Sequence, residues 1–171
     1  MGNIKGARQI SFLGLMLAMM MVVAFFEQML PPLPLLPPNV KLGLSNVITM
    51  YCFFFVGKKY AITLLILKSV FVFLTRGQIA FALSLTGGML SILVIAMLVF
   101  VFRTKISYTV ISIAGAIFHN VGQLIIISFI FRNNLIFYYL PILLISGIIM
   151  GTVTGTLLKI VLPVFKNTIK M

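Results

Sequence analysis

The sequence predicts an all-α integral membrane protein, a bundle of six transmembrane helices. Three observations predict this class: hydrophobic residues make up 62% of the chain, charged residues make up only 8%, and the mean hydropathy is +1.25. A soluble domain has about 45–50% apolar and about 25% charged residues. Because apolar stretches recur from end to end and the loops between them are short, we expect a single membrane domain over residues 1–171.

Six stretches of the chain approach the roughly 20 apolar residues that a spanning helix needs. They are residues 9–30, 41–57, 60–76, 79–102, 109–131 and 135–163. The second and third are short, and a helix that falls short of the bilayer is usually held against partners or lines a cavity. Residues 31–38, rich in proline, separate the first two helices and are expected to form an extracellular loop.

The lysines and arginines predict the orientation of the bundle. A net charge of +12 would indicate nucleic acid in a soluble chain, but here the cations lie at the ends of apolar runs and follow the positive-inside rule. With a cytoplasmic N-terminus, the cations inside are Lys5, Arg8, Lys58, Lys59, Arg103, Lys105, Lys159, Lys166 and Lys170, and only Lys41, Arg76 and Arg132 lie outside. We therefore expect both termini in the cytoplasm, with the protein in the plasma membrane.

In this topology the polar residues gather in the extracellular half of the bundle. Glu27, the sole carboxylate side chain of the sequence, ends helix one, and Lys41 and Asn46 begin helix two. Lys68 lies near the middle of helix three, where an ionisable group is by default a functional candidate. A pair of Glu27 with Lys68, or with Lys41, is the simplest way to neutralise the buried charge. A purely structural ion pair is the alternative.

The run G-A-I-F-H-N-V-G-Q-L, residues 115–124, contains a second group of polar side chains. His119 and Gln123 are one helical turn apart on one face of helix five, with Asn120 beside them. Amide and imidazole groups both donate and accept hydrogen bonds, which suits a heterocycle or a carbonyl-rich ligand. The alternative is interhelical hydrogen bonding, which uses the same residue types.

Small residues form three further patterns. The run T-G-G-M-L-S, residues 86–91, predicts a break near the start of helix four, because paired glycines weaken a helix. Gly147, Gly151 and Gly155 form a stripe that is typical of close helix packing. Gly14 and Ala18 form a weaker small face on helix one, which could meet a separate subunit.

Several chemistries are excluded by composition. The chain has no aspartate and one glutamate, so it lacks both paired catalytic carboxylates and the acidic clusters that hold magnesium diphosphates. It contains no phosphate-binding G-x-x-x-x-G-K-[ST] loop, so active transport would need partner subunits or an ion gradient. We expect no enzymatic activity, no metal site and no intrinsic cofactor.

The motifs taken in order resemble a bacterial family labelled Gx transporter or heptaprenyl diphosphate synthase component I. They are E-Q-x-L-P-P, V-K-L-G-L-S-N, V-G-K-K-Y-A, S-L-T-G-G-M-L-S, G-A-I-F-H-N-V-G-Q-L and G-x-x-x-G-x-x-x-G. That family is similar to the S components of energy-coupling factor (ECF) transporters. The resemblance implies an outward cavity capped by the loop at residues 31–38, a transmembrane coupling subunit docked at Gly14 and Ala18, and two ATPase subunits. The family is also similar to a membrane protein of flavin-based extracellular electron transfer, which implies flavin or quinone as a ligand.

We therefore expect a substrate-binding S subunit of an ECF-type importer, which captures a small, anionic or carbonyl-rich, vitamin-like ligand. The expected ligand-binding residues are Glu27, Lys41, Asn46, Lys68, His119, Asn120 and Gln123. Glu27 either contacts the ligand or only supplies the counter-charge of Lys68. Two alternatives stay open: an accessory component of extracellular electron transfer or of menaquinone and heptaprenyl diphosphate metabolism, and a scaffold whose polar groups only join helices.

Overall fold

The computed structural model describes residues 2–29, 43–102, 106–132 and 134–166, and every regular element within these ranges is helical. The helices are α1 (Gly2–Met29), α2 (Asn46–Phe55), α3 (Lys58–Arg76), α4 (Gln78–Phe102), α5 (Tyr108–Phe131) and α6 (Leu140–Lys166), with a short 3₁₀ helix at Asn134–Tyr139. The prediction of an all-α protein with six α-helices is confirmed in the described part of the chain.

Four of these helices are long and apolar enough to cross a membrane. The qualifying stretches are Ile10–Glu27 within α1, Gln78–Phe102, Tyr108–Phe131 and Phe137–Ile160. The ten residues of α2 give a length of about 15 Å, half of the roughly 30 Å hydrocarbon core. The protein is therefore a membrane protein whose second helix does not cross the bilayer by itself.

The start of α2 differs from the sequence prediction, which placed a helix from residue 41. Gly43 has a φ of +79°, a left-handed conformation that glycine adopts without steric cost but that ends a right-handed helix. Gly43 and Leu44 then accept hydrogen bonds from Asn46 and Val47, so a tight turn precedes the helix. The helix consequently begins at Asn46.

Within the bundle, α2 is the most enclosed helix. It contacts α1, α3, α4 and α6, and its residues from Ile48 to Phe53 are all buried. The main apolar core forms around it, with Met20 of α1 and Leu65 of α3 among its completely buried members. On the other side of the bundle α5 packs between α4 and α6. This arrangement brings the start of α2 close to α3, α4 and α5.

Glycines set the spacing between α5 and α6. A Cβ atom at Gly147 would lie 3.1 Å from Cα of Ile117, and one at Gly155 would lie 2.6 Å from Cα of Thr109. A Cβ at Gly151 would clash with the same α5 backbone. The two helices approach this closely because these positions carry no side chain, as the glycine stripe predicts.

The predicted break at Gly87 and Gly88 was wrong, since α4 is continuous through both. Gly87 lies against His119, whose carbonyl oxygen would be 2.8 Å from an added Cβ, and Gly88 lies against the side chain of Leu65. The helix keeps its hydrogen bonds, and each glycine instead provides space for a neighbouring helix.

Candidate functional site

The buried polar residues gather where α1 ends, α2 begins and the second half of α5 passes by. Glu27 ends α1 and is 5% exposed, and Lys68 of α3 is 4% exposed. His119 and Gln123 of α5 are also buried, and Asn46 is the first residue of α2. The structure thus brings together five of the seven residues that the sequence predicts for ligand binding.

Glu27 fixes the start of α2 against the end of α1. One carboxylate oxygen, Oε1, accepts a hydrogen bond from the backbone N–H of Gly43. A hydrogen bond to a charged acceptor is stronger than one between neutral groups. Because Gly43 precedes Asn46 by one turn of the chain, this contact positions Asn46 as well.

Lys68 has a neutral partner and a charged neighbour. Its Nζ atom donates a 3.0 Å hydrogen bond to Oδ1 of Asn46. The carboxylate of Glu27 attracts both the ammonium of Lys68 and the guanidinium of Arg76 through space. A buried cation needs such a counter-charge in a medium of low dielectric constant. The site therefore contains two cations and one anion within the described residues.

His119 and Gln123 form a pair on α5. Nε2 of Gln123 lies 2.6 Å from Nε2 of His119. An amide nitrogen only donates hydrogen bonds, so with this orientation the ring accepts at Nε2 and a neutral ring carries its proton on Nδ1. Nδ1 is directed at the backbone of Gly87 and makes no well-aligned hydrogen bond within the described residues. The ring fits against α4 because Gly87 has no side chain.

Asn120 lies on a different face of α5 from His119 and Gln123. Its Nδ2 atom donates to the carbonyl oxygen of Leu143 at 2.8 Å and to Oγ of Ser146 at 3.2 Å. Both acceptors belong to α6. The structure does not bring Asn120 into the cluster, and its contacts are those of the interhelical alternative.

A cavity of about 40 Å³ lies among these residues, and we call it the site cavity. Its polar lining consists of Glu27, Gly43, Ser45, Lys68, Arg76, Ser84, His119 and Gln123. Four of these are not among the residues predicted for ligand binding: Gly43, Ser45, Arg76 and Ser84. Arg76 ends α3. It follows Lys68 by eight residues, a spacing that places both on the same side of a helix, and this spacing is the sequence signal that could have found it.

Comparison with known proteins identifies the family. The family model described as heptaprenyl diphosphate synthase component I matches residues 16–161. The chain belongs to this family. The resemblance predicted from the order of the motifs is thereby confirmed at the level of the component I family. A search of curated proteins and a search of solved structures each returned no match.

The remaining predicted features are Lys41, the proline-rich loop and the small face of α1. Lys41 and the loop at residues 31–38 lie outside the described residues. Gly14 and Ala18 are exposed on α1, and a Cβ added at Gly14 would meet nothing within 4 Å. The small face of α1 is thus not used for packing by the described part of the bundle.

The described site residues can interact with a ligand through hydrogen bonds and ionic contacts. Among the described residues no three side chains of histidine, cysteine, aspartate or glutamate come together as metal ligands would. Lys68 and Arg76 can bind anionic or carbonyl oxygens, and the His119 and Gln123 pair offers a planar polar surface.

Proposed function

We propose that this protein is the membrane-embedded binding subunit of an ECF-type importer and holds a small anionic or carbonyl-rich ligand at the site cavity. The observation that carries the proposal is Lys68, a buried cation beside Glu27 in a polar cavity of a membrane bundle. Buried charges in membranes are expensive and usually mark a ligand or ion site.

The charges of the described site favour an anionic ligand. Lys68 and Arg76 outnumber Glu27, and one oxygen of Glu27 already accepts from Gly43. An ammonium has three N–H donors, and Asn46 accepts from one of them. Lys68 can therefore bond a ligand oxygen while it keeps Asn46. A carboxylate, phosphate or ring carbonyl would balance the excess positive charge.

The size of the site cavity adds a requirement. Its volume of about 40 Å³ holds a few water molecules, whereas ligand pockets usually measure about 300–1,000 Å³. Binding of a vitamin-sized ligand must therefore widen the cavity. We expect the short α2 to move, because α5 packs more extensively against α4 and α6 than α2 packs against any single neighbour.

In this proposal energy comes from partner subunits. The chain lacks a phosphate-binding loop for ATP, so a coupling subunit and two ATPase subunits would drive release of the ligand. Gly14 and Ala18, exposed on α1, are the proposed contact for the coupling subunit. Such small residues let two helices approach closely in a membrane.

A second candidate is an accessory role in heptaprenyl diphosphate or menaquinone metabolism, or in flavin-based electron transfer. The family description favours the prenyl diphosphate role, since a component I implies a second component of the synthase. A diphosphate group would also fit Lys68 and Arg76 by charge. Because the chain has one acidic residue, the magnesium-dependent chemistry would belong to the partner.

One experiment separates these functions. The protein is purified from its native host in mild detergent, and co-purifying subunits and small molecules are identified by mass spectrometry. A coupling subunit with ATPases and a small polar ligand supports the importer. A prenyl synthase subunit with a prenyl diphosphate, or a bound flavin or quinone without ATPases, replaces it with the second candidate. A bundle free of ligand and partner would indicate a scaffold.

A further inference from the structure

Two more small cavities lie beside α2. The inner cavity, about 20 Å³, lies between α2, α4, α5 and α6. The side cavity, about 10 Å³, lies between α2 and α4. Both are lined by Asn46, Met50, Ser91 and Ile95. Gly43 lines the inner cavity and the site cavity, so the inner cavity adjoins the site cavity on one side and the side cavity on the other.

Each of the three cavities contains one buried hydroxyl group without a protein partner among the described residues. These are Ser45 in the site cavity, Ser112 in the inner cavity and Thr49 in the side cavity. All three residues are at most 4% exposed. Buried hydroxyl groups in proteins nearly always have a hydrogen-bond partner, and an ordered water is the usual one when protein does not supply it.

The inner cavity meets the requirements for a bound water. Its volume exceeds the roughly 10–15 Å³ that one water needs, and a buried water makes about three hydrogen bonds. Its lining supplies the side chains of Asn46, Ser91, Ser112 and Thr154. The hydroxyl of Thr154 donates to the carbonyl of Met150 at 2.7 Å, which leaves its oxygen as an acceptor. No carboxylate lines this cavity, so its chemistry suits a neutral water rather than a metal cation.

We propose that the inner cavity is a water-binding site, and that its water extends the polar site from Lys68 and Asn46 into the middle of the bundle. Oδ1 of Asn46 accepts from Lys68, and Asn46 also lines the inner cavity. Asn46 therefore joins the buried charge to the water. The inference holds whether the ligand is a vitamin, a diphosphate or a quinone, because Ser112, Thr154 and Ser91 do not line the site cavity.

Two methionines provide an internal comparison for a test. Both belong to the main apolar core, but Met50 is 3% exposed and lines the inner and side cavities, whereas Met20 is 0% exposed and lines none of the three cavities. Pulsed X-ray radiolysis of the protein in lipid nanodiscs generates hydroxyl radicals from water in place, and methionine is readily oxidised to its sulfoxide. We expect Met50 to be oxidised roughly fivefold faster than Met20, with ¹⁸O incorporated from labelled water. Equal rates at the two residues would overturn the proposal.

A variant checks that the hydroxyl groups hold the water. The double variant Thr49→Val with Ser112→Ala removes the unpartnered hydroxyls of the side and inner cavities and leaves Met50 in place. Its Met50 oxidation is expected to fall to the rate of Met20. Thr63→Val is the control, because Thr63 is exposed and bonded to the carbonyl of Lys59. Unchanged Met50 oxidation in the folded double variant would contradict the proposal. If the variant does not fold, the comparison of Met50 with Met20 in the wild-type protein still tests it.

Discussion

Lys68 of α3 and Asn46 at the start of α2 are joined by a hydrogen bond of 3.0 Å. Asn46 satisfies a donor of the ammonium but does not neutralise its charge. The counter-charge is Glu27, which holds the backbone of Gly43 just before Asn46. Three helices therefore meet at the first turn of α2, and the buried charge of Lys68 depends on both contacts.

Replacement of Lys68 by methionine tests the proposed ligand site. Lys68→Met keeps most of the length of the side chain and removes its charge, so we expect ligand affinity to fall by about 30-fold or more, as when a buried charged partner is lost. The measurement is the amount of native ligand that co-purifies per mole of protein. Lys159→Met, an exposed lysine of α6, is the matched control. Equal ligand content in both folded variants would place the site elsewhere.

Glu27→Gln separates the two roles that the sequence leaves open for this residue. The amide still offers an oxygen to the N–H of Gly43 but carries no charge. If Glu27 serves as the counter-charge, inorganic diphosphate should bind about tenfold more tightly, since a competing anion is gone. The affinity is measured by titration in a thermal-shift assay. Unchanged or weaker binding of diphosphate by the folded variant would contradict the counter-charge role of Glu27.

Gly43→Ala is expected to destabilise the fold strongly. Its φ of +79° disfavours any other residue, and a Cβ would lie 2.7 Å from Nδ2 of Asn46 and 3.0 Å from Cδ2 of His119. Gly77→Ala is a control that separates backbone strain from crowding, because Gly77 has a φ of +84° but open space around it. Gly77→Ala should cost about 1–3 kcal/mol from the backbone alone, and Gly43→Ala should cost more because its added Cβ is also crowded. Thermal unfolding in detergent measures both, and equal losses would argue against crowding at the site.

The sequence predicted which residues are polar and buried better than it predicted their partners. Periodicity placed His119, Asn120 and Gln123 on one helix, but a helix has several faces within a bundle. His119 and Gln123 face the site cavity, and Asn120 faces α6. Which neighbour lies on which face depends on tertiary packing, so spacing along α5 alone does not separate ligand contacts from interhelical bonds.

The glycines also show that a pattern along one helix does not reveal contacts with distant helices. The stripe of α6 was interpretable because a four-residue repeat defines one face of a helix. Gly87 and Gly88 have no such repeat, and intrinsic propensity favoured a break. Contacts with His119 and Leu65 depend on helices distant in sequence. At Gly87 and Gly88 tertiary packing overrode local propensity, whereas the later start of α2 is a local effect of Gly43 at positive φ.

Asn120→Ala should change stability and leave ligand binding intact. The bond to Leu143 is lost, but the same carbonyl still accepts from Oγ of Ser146 at 2.9 Å. Interhelical hydrogen bonds in membranes contribute about 0.5–2 kcal/mol, and we expect a loss in that range by thermal unfolding. His119→Ala, one residue away, should lower the content of co-purified ligand. A loss of ligand in Asn120→Ala, with normal content in His119→Ala, would reverse the roles proposed for these neighbours.

Leucine at the small face of α1 distinguishes an importer subunit from a protein that works alone. Gly14→Leu with Ala18→Leu adds two large side chains at exposed positions, and the space around Gly14 is open. The fold should be unaffected or slightly stabilised, because leucine favours a helix by about 1 kcal/mol over glycine. A partner that packs closely at this face would be excluded. We therefore expect the coupling subunit to be lost from the purified complex while ligand content is unchanged. Thr152→Leu, exposed on α6, should retain the complex, and a complex that survives both leucines would place the partner at another face.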